Sequence, residues 1–410
     1  MINYYDIIIV GAGPGGLFSA LNLPKELNTL ILEKNSSVGK KLLMSGSGRC
    51  NFTHSGNIDE FFLHYGDKNN FVKPSLLGFT NNDLIEYVKK HKIEIVIDKN
   101  GKVFPKSQKA KDILDCLIKD CYSNNVNIHI NEKVIEIKKV EDNFVVCSDK
   151  NTYKSKFIIL ATGGKSYPNS GSTGDGYRIA ETFGHTIITP KPALTPIIVK
   201  NFKFSILSGV SLYNREVVLY KEGKKRKSII GDIVFTHFGL SGPAILDLSR
   251  YIDENDIIKI NLLNDNFDNV SKKYIDLIST KGGITLKTFF KGYNIPERLI
   301  DEILLLSEIQ ENVKISKVNK EIRNRIIRIF CEMEFEVERK GDFNIAMVTT
   351  GGVSIKEINS KTMESKIIPG FYFVGEVIDV DGDTGGYNLQ FAFSSAYLAA
   401  KHIKINQIKN

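Results

Sequence analysis

The chain has 410 residues, 42% of them hydrophobic and 25% charged, ordinary values that exclude a disordered or fibrous polymer and leave room for two or three domains with buried cores. Lys and Arg exceed Asp and Glu by 55 − 47 = 8, a mild basic excess that suits anionic ligands without requiring nucleic acid. Five scattered cysteines with no C-x-x-C pair exclude a disulfide framework, a dithiol centre and a cysteine zinc site, and the lack of a membrane-length apolar run or a signal peptide makes the reducing cytoplasm the expected compartment.

Residues 4 to 10 form a short β-branched apolar run that stops at Gly11, which predicts a strand buried on both faces of a parallel sheet. Pro14 to Leu23 predicts a short helix ended by Pro24, and Thr29 to Glu33 the second strand of a βαβ unit. The loop from Gly39 to Thr53, with Lys40, Lys41 and Arg49, is too polar and glycine-rich for core. Helical periodicity at 81–91 and 108–122, alternating strands near 126–148 and an apolar strand at 157–161 extend this first body. Beyond Gly184 the pattern becomes strands and turns, with Lys224-Lys225-Arg226-Lys227 at a hairpin tip. Helical periodicity then runs over 268–332, strands return at about 334–349, and a last apolar strand, Phe371 to Val374, leads through a glycine-rich loop into a helix from about Tyr387 to Ala400. The fold class is therefore α/β: a Rossmann-type domain made of 1–186 and 351–410, an inserted β-rich domain of 187–264 and 333–350, and a nested helical insertion at 265–332.

Gly11-Ala12-Gly13-Pro14-Gly15-Gly16 matches G-x-G-x-x-G, whose glycines serve a tight turn, the close approach of a pyrophosphate and close helix packing. It lies between a strand and a helix, and Glu33 ends the next strand where it can accept ribose hydroxyl hydrogen bonds. Two further signals separate FAD from a nicotinamide dinucleotide. Ala161-Thr162-Gly163-Gly164 after an apolar strand resembles the second signature of flavoproteins, and Phe371-Tyr372-Phe373-Val374-Gly375-Glu376 resembles the third, in which an acid follows a glycine, here Glu376 rather than the usual Asp. Gly385-Gly386-Tyr387-Asn388 opens a helix whose amides at Gly386, Tyr387 and Asn388 are expected to stabilise negative charge on the pyrimidine ring of a reduced flavin.

Gly39-Lys40-Lys41-Leu42-Leu43, Ser45-Gly46-Ser47-Gly48-Arg49-Cys50-Asn51, Thr236-His237-Phe238-Gly239-Leu240-Ser241-Gly242-Pro243 and the run from Gly375 to Asn388 together resemble the BaiN/YhiN-like family of bacterial FAD-dependent oxidoreductases over nearly the whole chain. The resemblance implies three domains and further non-covalent FAD contacts at Pro14, Lys34, Lys41, Gly48, Arg49, Cys50, Asn51, Val134, Thr162, Gly163, Gly375, Asp383 and Leu389. Arg49 suits phosphate or flavin oxygens, and Cys50, without a partner thiol, is expected to pack rather than cycle. His237 is the candidate catalytic proton carrier and Tyr167 its runner-up, while no metal site is expected. Family activities implied by the resemblance are reduction of steroid-type enones and oxidation of small amino compounds. The leading expectation is an NAD(P)H-dependent reductase of a small or steroid-like enone, with NADH or NADPH docking transiently because the chain has a single G-x-G-x-x-G. The alternatives are an oxygen-using oxidase of a small amino compound and a flavin-dependent RNA-modifying enzyme drawing on the +8 charge and residues 224–227. A small-molecule substrate is the expected partner, neither nucleic acid nor membrane is, and the oligomeric state is left open.

Overall fold

Ile7, Ile8, Ile9 and Val10 are all buried, so the strand that carries them, β1 (Asn3–Val10), needs a neighbour on each side and a layer on each face. Both neighbours are parallel: β2 (Thr29–Leu32) pairs its four residues with Ile7 to Val10, and Thr152–Leu160 pairs Phe157 to Leu160 with the same four. The computed structural model describes residues 3–281, 283–310 and 312–408. Contacts divide the chain into two compact units, residues 1–192 with 346–410 and residues 193–345.

In the first unit Asn127–His129 extends the sheet beyond β2, and Phe371–Phe373 runs parallel to the end of Thr152–Leu160, which builds the returning C-terminal chain into the same sheet. The first half of Thr152–Leu160 carries antiparallel Asn143–Ser148 and then Val134–Val140. Helix α1 (Pro14–Leu21) packs against the long helix Tyr387–Ile408, with Phe18 meeting Phe393 edge-on at 5.0 Å and Phe79 at 5.0 Å. A small antiparallel sheet of Thr53–His54, Lys102–Pro105 and Ile95–Ile97 follows the basic loop. The stretch after it carries no periodic signal, yet forms helices Ile58–Phe61 and Asn69–Gly78, the second with Pro74 inside and Phe71, Val72, Ser75 and Leu76 buried. Burial of that face overrides the proline.

The second unit is built on a closed barrel of Ile197–Val199, Ser211–Lys221, Lys224–Phe235, Gly239–Ser241, Ile257–Asn261 and Met333–Lys340. Lys224 to Lys227 do not form the hairpin tip. Lys221 pairs with Lys224, and the tip is Glu222-Gly223, both at positive φ (50° and 74°), the two-residue turn whose twist matches the flanking strands. The basic run is the start of a strand. Helices Phe267–Lys281, Leu286–Lys291, Glu297–Leu306 and Lys320–Cys331 follow the helical pattern read over 265–332, in which Gly282 and Glu311 lie outside the described residues. These helices and the barrel share one apolar core, in which Leu219, Ile258 and Ile260 of the strands join Tyr274, Phe290, Ile300 and Phe330 of the helices. The expected line between a β-rich and a helical body therefore runs through the interior of one compact unit, and the junctions with the first unit fall at 192/193 and 345/346. No described helix is long and apolar enough to cross a membrane.

Phe290 and Phe330 stack face to face at 3.7 Å with planes 5° apart, both fully buried. Phe330→Ala is expected to lower the unfolding free energy of the second unit by about 3–5 kcal/mol, because the barrel core loses its lid contact along with the helices' own packing. Urea unfolding followed by circular dichroism checks this, and a loss below ~1 kcal/mol would mean that helices and barrel do not share a core.

Candidate functional site

The site begins where β1 ends. Gly11 has φ +103°, and a Cβ there would stand 2.6 Å from the Ala161 carbonyl oxygen, so the end of β1 and the turn after Thr152–Leu160 lie backbone to backbone. At Gly16 a Cβ would come within 2.0 Å of the Gly11 carbonyl oxygen, which presses the first turn of α1 onto the strand it follows. Gly13 is different: a Cβ there would meet nothing within 4 Å. Its front is open, beside first-turn amides that have no intrahelical carbonyl to meet.

Glu33, at the end of β2, is buried and accepts Ala12 N–H at 2.9 Å on Oε2, with Asn35 N–H at 2.8 Å and the Asn35 amide at 2.7 Å on Oε1. The carboxylate thus ties the glycine turn to the end of the next strand. Lys34 reaches Asp175 and Thr173, each at 2.6 Å. Burial by itself would push Asp175 up, but hydrogen bonds from Lys34, Thr173 and Arg178 hold it well below the usual carboxylate range. Val134 is buried at the start of its strand, two residues past Glu132, whose N–H bonds the Glu33 carbonyl at 2.9 Å.

Lys41 reaches Glu376 at 2.6 Å and Ser166 at 2.5 Å, and Glu376 also accepts from Ser166 Oγ at 2.9 Å and Thr349 N–H at 2.8 Å. Gly375, at φ +69°, donates its N–H to Ser395 Oγ at 3.0 Å. The acid after the glycine is therefore tied into the fold, and it joins Lys41 to the segment after Gly163-Gly164. In the loop of 45–51, Gly46, Ser47, Gly48 and Cys50 all take positive φ. Arg49 is exposed with its guanidinium 5.0 Å over Phe104. Cys50 is fully buried, and burial pushes its thiol up to about 12, so it is a packed thiol and not a thiolate.

The loop after Gly375 meets this segment. A Cβ at Gly386 would lie 2.6 Å from the Thr53 carbonyl carbon, and Thr53 Oγ1 donates to Gln390 Oε1 at 2.7 Å. Asn388 clamps the loop through two 2.8 Å hydrogen bonds to the backbone of Gly382, and Leu389 packs on the core. Tyr387 is buried, its carbonyl taken by Tyr65 Oη at 2.7 Å and its ring between His64 and His54. Asp383 binds His64 Nδ1 at 3.0 Å. His64, Ser166, Thr349 and Asn35 were not singled out in the sequence, since none lies in a motif with a spacing rule and each meets the motifs only in three dimensions. Tyr167 is half-buried at φ 52°, its carbonyl accepting from Ser170. His237 belongs to the other unit, exposed in the turn where Thr236 N–H bonds the Gly239 carbonyl at 2.8 Å.

These groups fit a flavin dinucleotide. The fit rests on the open front of Gly13 and on two buried acceptors without a hydrogen-bond partner, Thr162 Oγ1 and Asn51 Oδ1, one in each flanking motif. The family described as HI0933-like protein Rossmann domain matches residues 5–402. The ribosomal RNA dihydrouridine synthase of Haemophilus influenzae is 34% identical over 98% of this chain and 99% of its own. The 3-dehydro-bile acid delta(4,6)-reductase of Clostridium scindens is 28% identical over 96% of this chain and 97% of its own. The 3-ketosteroid delta1-dehydrogenase of Sterolibacterium denitrificans shares the fold at TM-score 0.52 with 13% identity, over 98% of this chain and 100% of that one.

Gly13→Val is expected to fold, since its side chain enters open space, and to lose bound FAD at least tenfold because that space is the pyrophosphate's approach. Flavin absorbance after gel filtration, beside an unchanged melting curve of the cofactor-free protein, measures both. Iodoacetamide at pH 8 is expected to modify partly exposed Cys147 and to spare Cys50, as peptide mass mapping would show; equal labelling of Cys50 would contradict its packed state.

Proposed function

The chain belongs to the HI0933-like family and is an FAD-dependent oxidoreductase, and from that premise we propose that it reduces the C5=C6 bond of a uridine in ribosomal RNA to dihydrouridine, with a reduced nicotinamide dinucleotide as electron donor. The observation that carries this reading is the 34% identity to a ribosomal RNA dihydrouridine synthase along essentially the whole of both chains. The chemistry agrees with the sequence expectation at the level of the reacting bond, because C5=C6 of uracil is conjugated to the C4 carbonyl and is an enone like that of a steroid. What changes is the substrate, from a small molecule to a base in RNA. The basic excess of 8 charges suits a polyanionic partner, and an RNA-modifying flavoenzyme is one of the two alternatives that the sequence offers.

FAD, when bound, supplies the hydride-equivalent. In this reading the chain's own residues hold and orient it. Gly11 to Gly16 receive the pyrophosphate at the first turn of α1, Glu33 accepts from the ribose, and Thr162 Oγ1 and Asn51 Oδ1 gain the hydrogen bonds they lack. The amides of Gly386 to Asn388 offer partial positive charge to the flavin's pyrimidine ring. Lys41, already beside Glu376, stands by for a phosphate or ribityl oxygen.

The purified protein is expected to carry FAD and, with NADPH or NADH, to convert uridine in ribosomal RNA taken from a strain without the gene, read by mass spectrometry of nucleosides. Steroid dienones reduced in place of RNA would assign the enzyme to the chemistry of its Clostridium scindens relative.

A further inference from the structure

We propose that His64 is the proton donor to the substrate carbon, oriented by Asp383 and by the ring of Tyr387; this deepens the uridine-reducing reading and rests on it. His64 is held in two independent ways. Its Nδ1 lies 3.0 Å from Asp383 Oδ2, and its ring stacks on Tyr387 at 4.0 Å with planes 16° apart. Asp383 is itself fixed, since its N–H bonds the His64 carbonyl at 2.9 Å. With Nδ1–H given to the carboxylate, the imidazolium form of the ring carries on Nε2 the proton that is transferred.

The other imidazole flanking Tyr387 cannot take this role. His54 has Nε2 on the Asn100 carbonyl at 2.7 Å and Nδ1 accepting Gly56 N–H at 3.0 Å. His64 keeps 36% of its side chain exposed, while the Tyr387 beneath it is buried. It is also placed correctly in the fold. Asp383 and Tyr387 belong to the loop and helix start that follow Phe371–Phe373, beyond the carboxyl ends of the parallel strands, where open α/β sheets bind ligands. The charged and titratable groups facing His64 are Asp383, Tyr387 and, across that ring, His54; on its own segment Lys68 is committed to Asp379 at 2.9 Å, with Asp67 at 3.5 Å from the same ammonium.

The step balances. The C5=C6 π bond breaks, the hydride-equivalent of the reduced flavin forms the C6–H bond, and the released electron pair takes the proton from His64 Nε2 to form C5–H. Water returns a proton to the ring, and the nicotinamide dinucleotide, oxidised in turn, restores the flavin.

The test uses FAD-loaded full-length protein, NADPH and unmodified ribosomal RNA. In His64→Gln, flavin reduction by NADPH is expected to stay within about threefold of wild type, while reoxidation by RNA slows about 10²–10⁴-fold, the range of general acid catalysis. In Asp383→Asn the same half-reaction slows in its limiting rate at saturating RNA while the RNA concentration for half-saturation stays within about threefold, because the imidazole loses the carboxylate that orients it. Diethyl pyrocarbonate mapping of wild type provides a readout independent of turnover and of variant folding: His64 is expected to be carbethoxylated in the free holoenzyme and shielded by bound RNA. Equal slowing of both half-reactions, unchanged reoxidation in His64→Gln, or labelling that RNA leaves unchanged would each overturn the proposal. A wild type that leaves uridine intact overturns the function reading and this inference with it, whereas a wild type that reduces uridine beside an equally active His64→Gln overturns this inference alone.

Discussion

Everything in the first unit depends on how closely α1 is pressed to the end of β1. A Cβ at position 16 would stand 2.0 Å from the Gly11 carbonyl oxygen, and one at position 11 would stand 2.6 Å from that of Ala161. No side chain fits either contact, so only glycines allow the turn to close there. Closure brings Gly11 N–H to the Leu32 carbonyl at 2.9 Å and Ala161 N–H to the Val10 carbonyl at 2.9 Å, which laces three parallel strands together at their carboxyl ends. The open front of Gly13 and the first-turn amides of α1 then face outward from that edge, where a pyrophosphate can meet them.

The carboxyl edge gathers charge, and the fold pairs it. Lys34 with Asp175, Lys41 with Glu376 and Lys68 with Asp379 each join residues far apart in the chain at 2.6, 2.6 and 2.9 Å. All six side chains are at most 25% exposed, so these pairs are screened less than surface ones and losing one partner leaves a costly charge. The pairs also hold segments that sheet hydrogen bonds do not reach, including the loop after Gly375 and the short helix Lys40–Met44. Burial pushes the Asp379 carboxyl up against the pull of Lys68, a balance suited to a residue that anchors backbone: it accepts Gly351 N–H at 3.1 Å.

The second unit follows a different logic. Its strands close on themselves and remove the exposed edge, and its helices complete a core that the barrel begins. Strand and helix periodicities change sharply along the chain there, yet the apolar faces they describe meet in one interior. Periodicity reports which face of an element is apolar and says nothing about which other element will cover it.

Local runs of residues carry part of this architecture, and contacts between distant segments carry the remainder. The buried run before Gly11, the glycine spacing, Glu33 at the next strand end and the apolar strand before Gly375 were legible because each is a local requirement: a strand buried on both faces must be apolar, and a turn pressed backbone to backbone, as at Gly11 and Gly16, must be glycine. Cys50 was readable as a packed thiol for a different local reason, the lack of a second cysteine at C-x-x-C spacing from it. The helices between Ile58 and Gly78 were not legible, because Gly66 and Pro74 interrupt the pattern while long-range burial of Phe61, Tyr65, Phe71 and Leu76 sustains the fold. Lys41 on Glu376, Thr349 on Ser166 and His64 on Asp383 were beyond reach for a related reason. Their partners are 183 to 335 residues apart, no spacing rule connects them, and only the return of the C-terminal chain into the first sheet brings each pair within hydrogen-bonding distance.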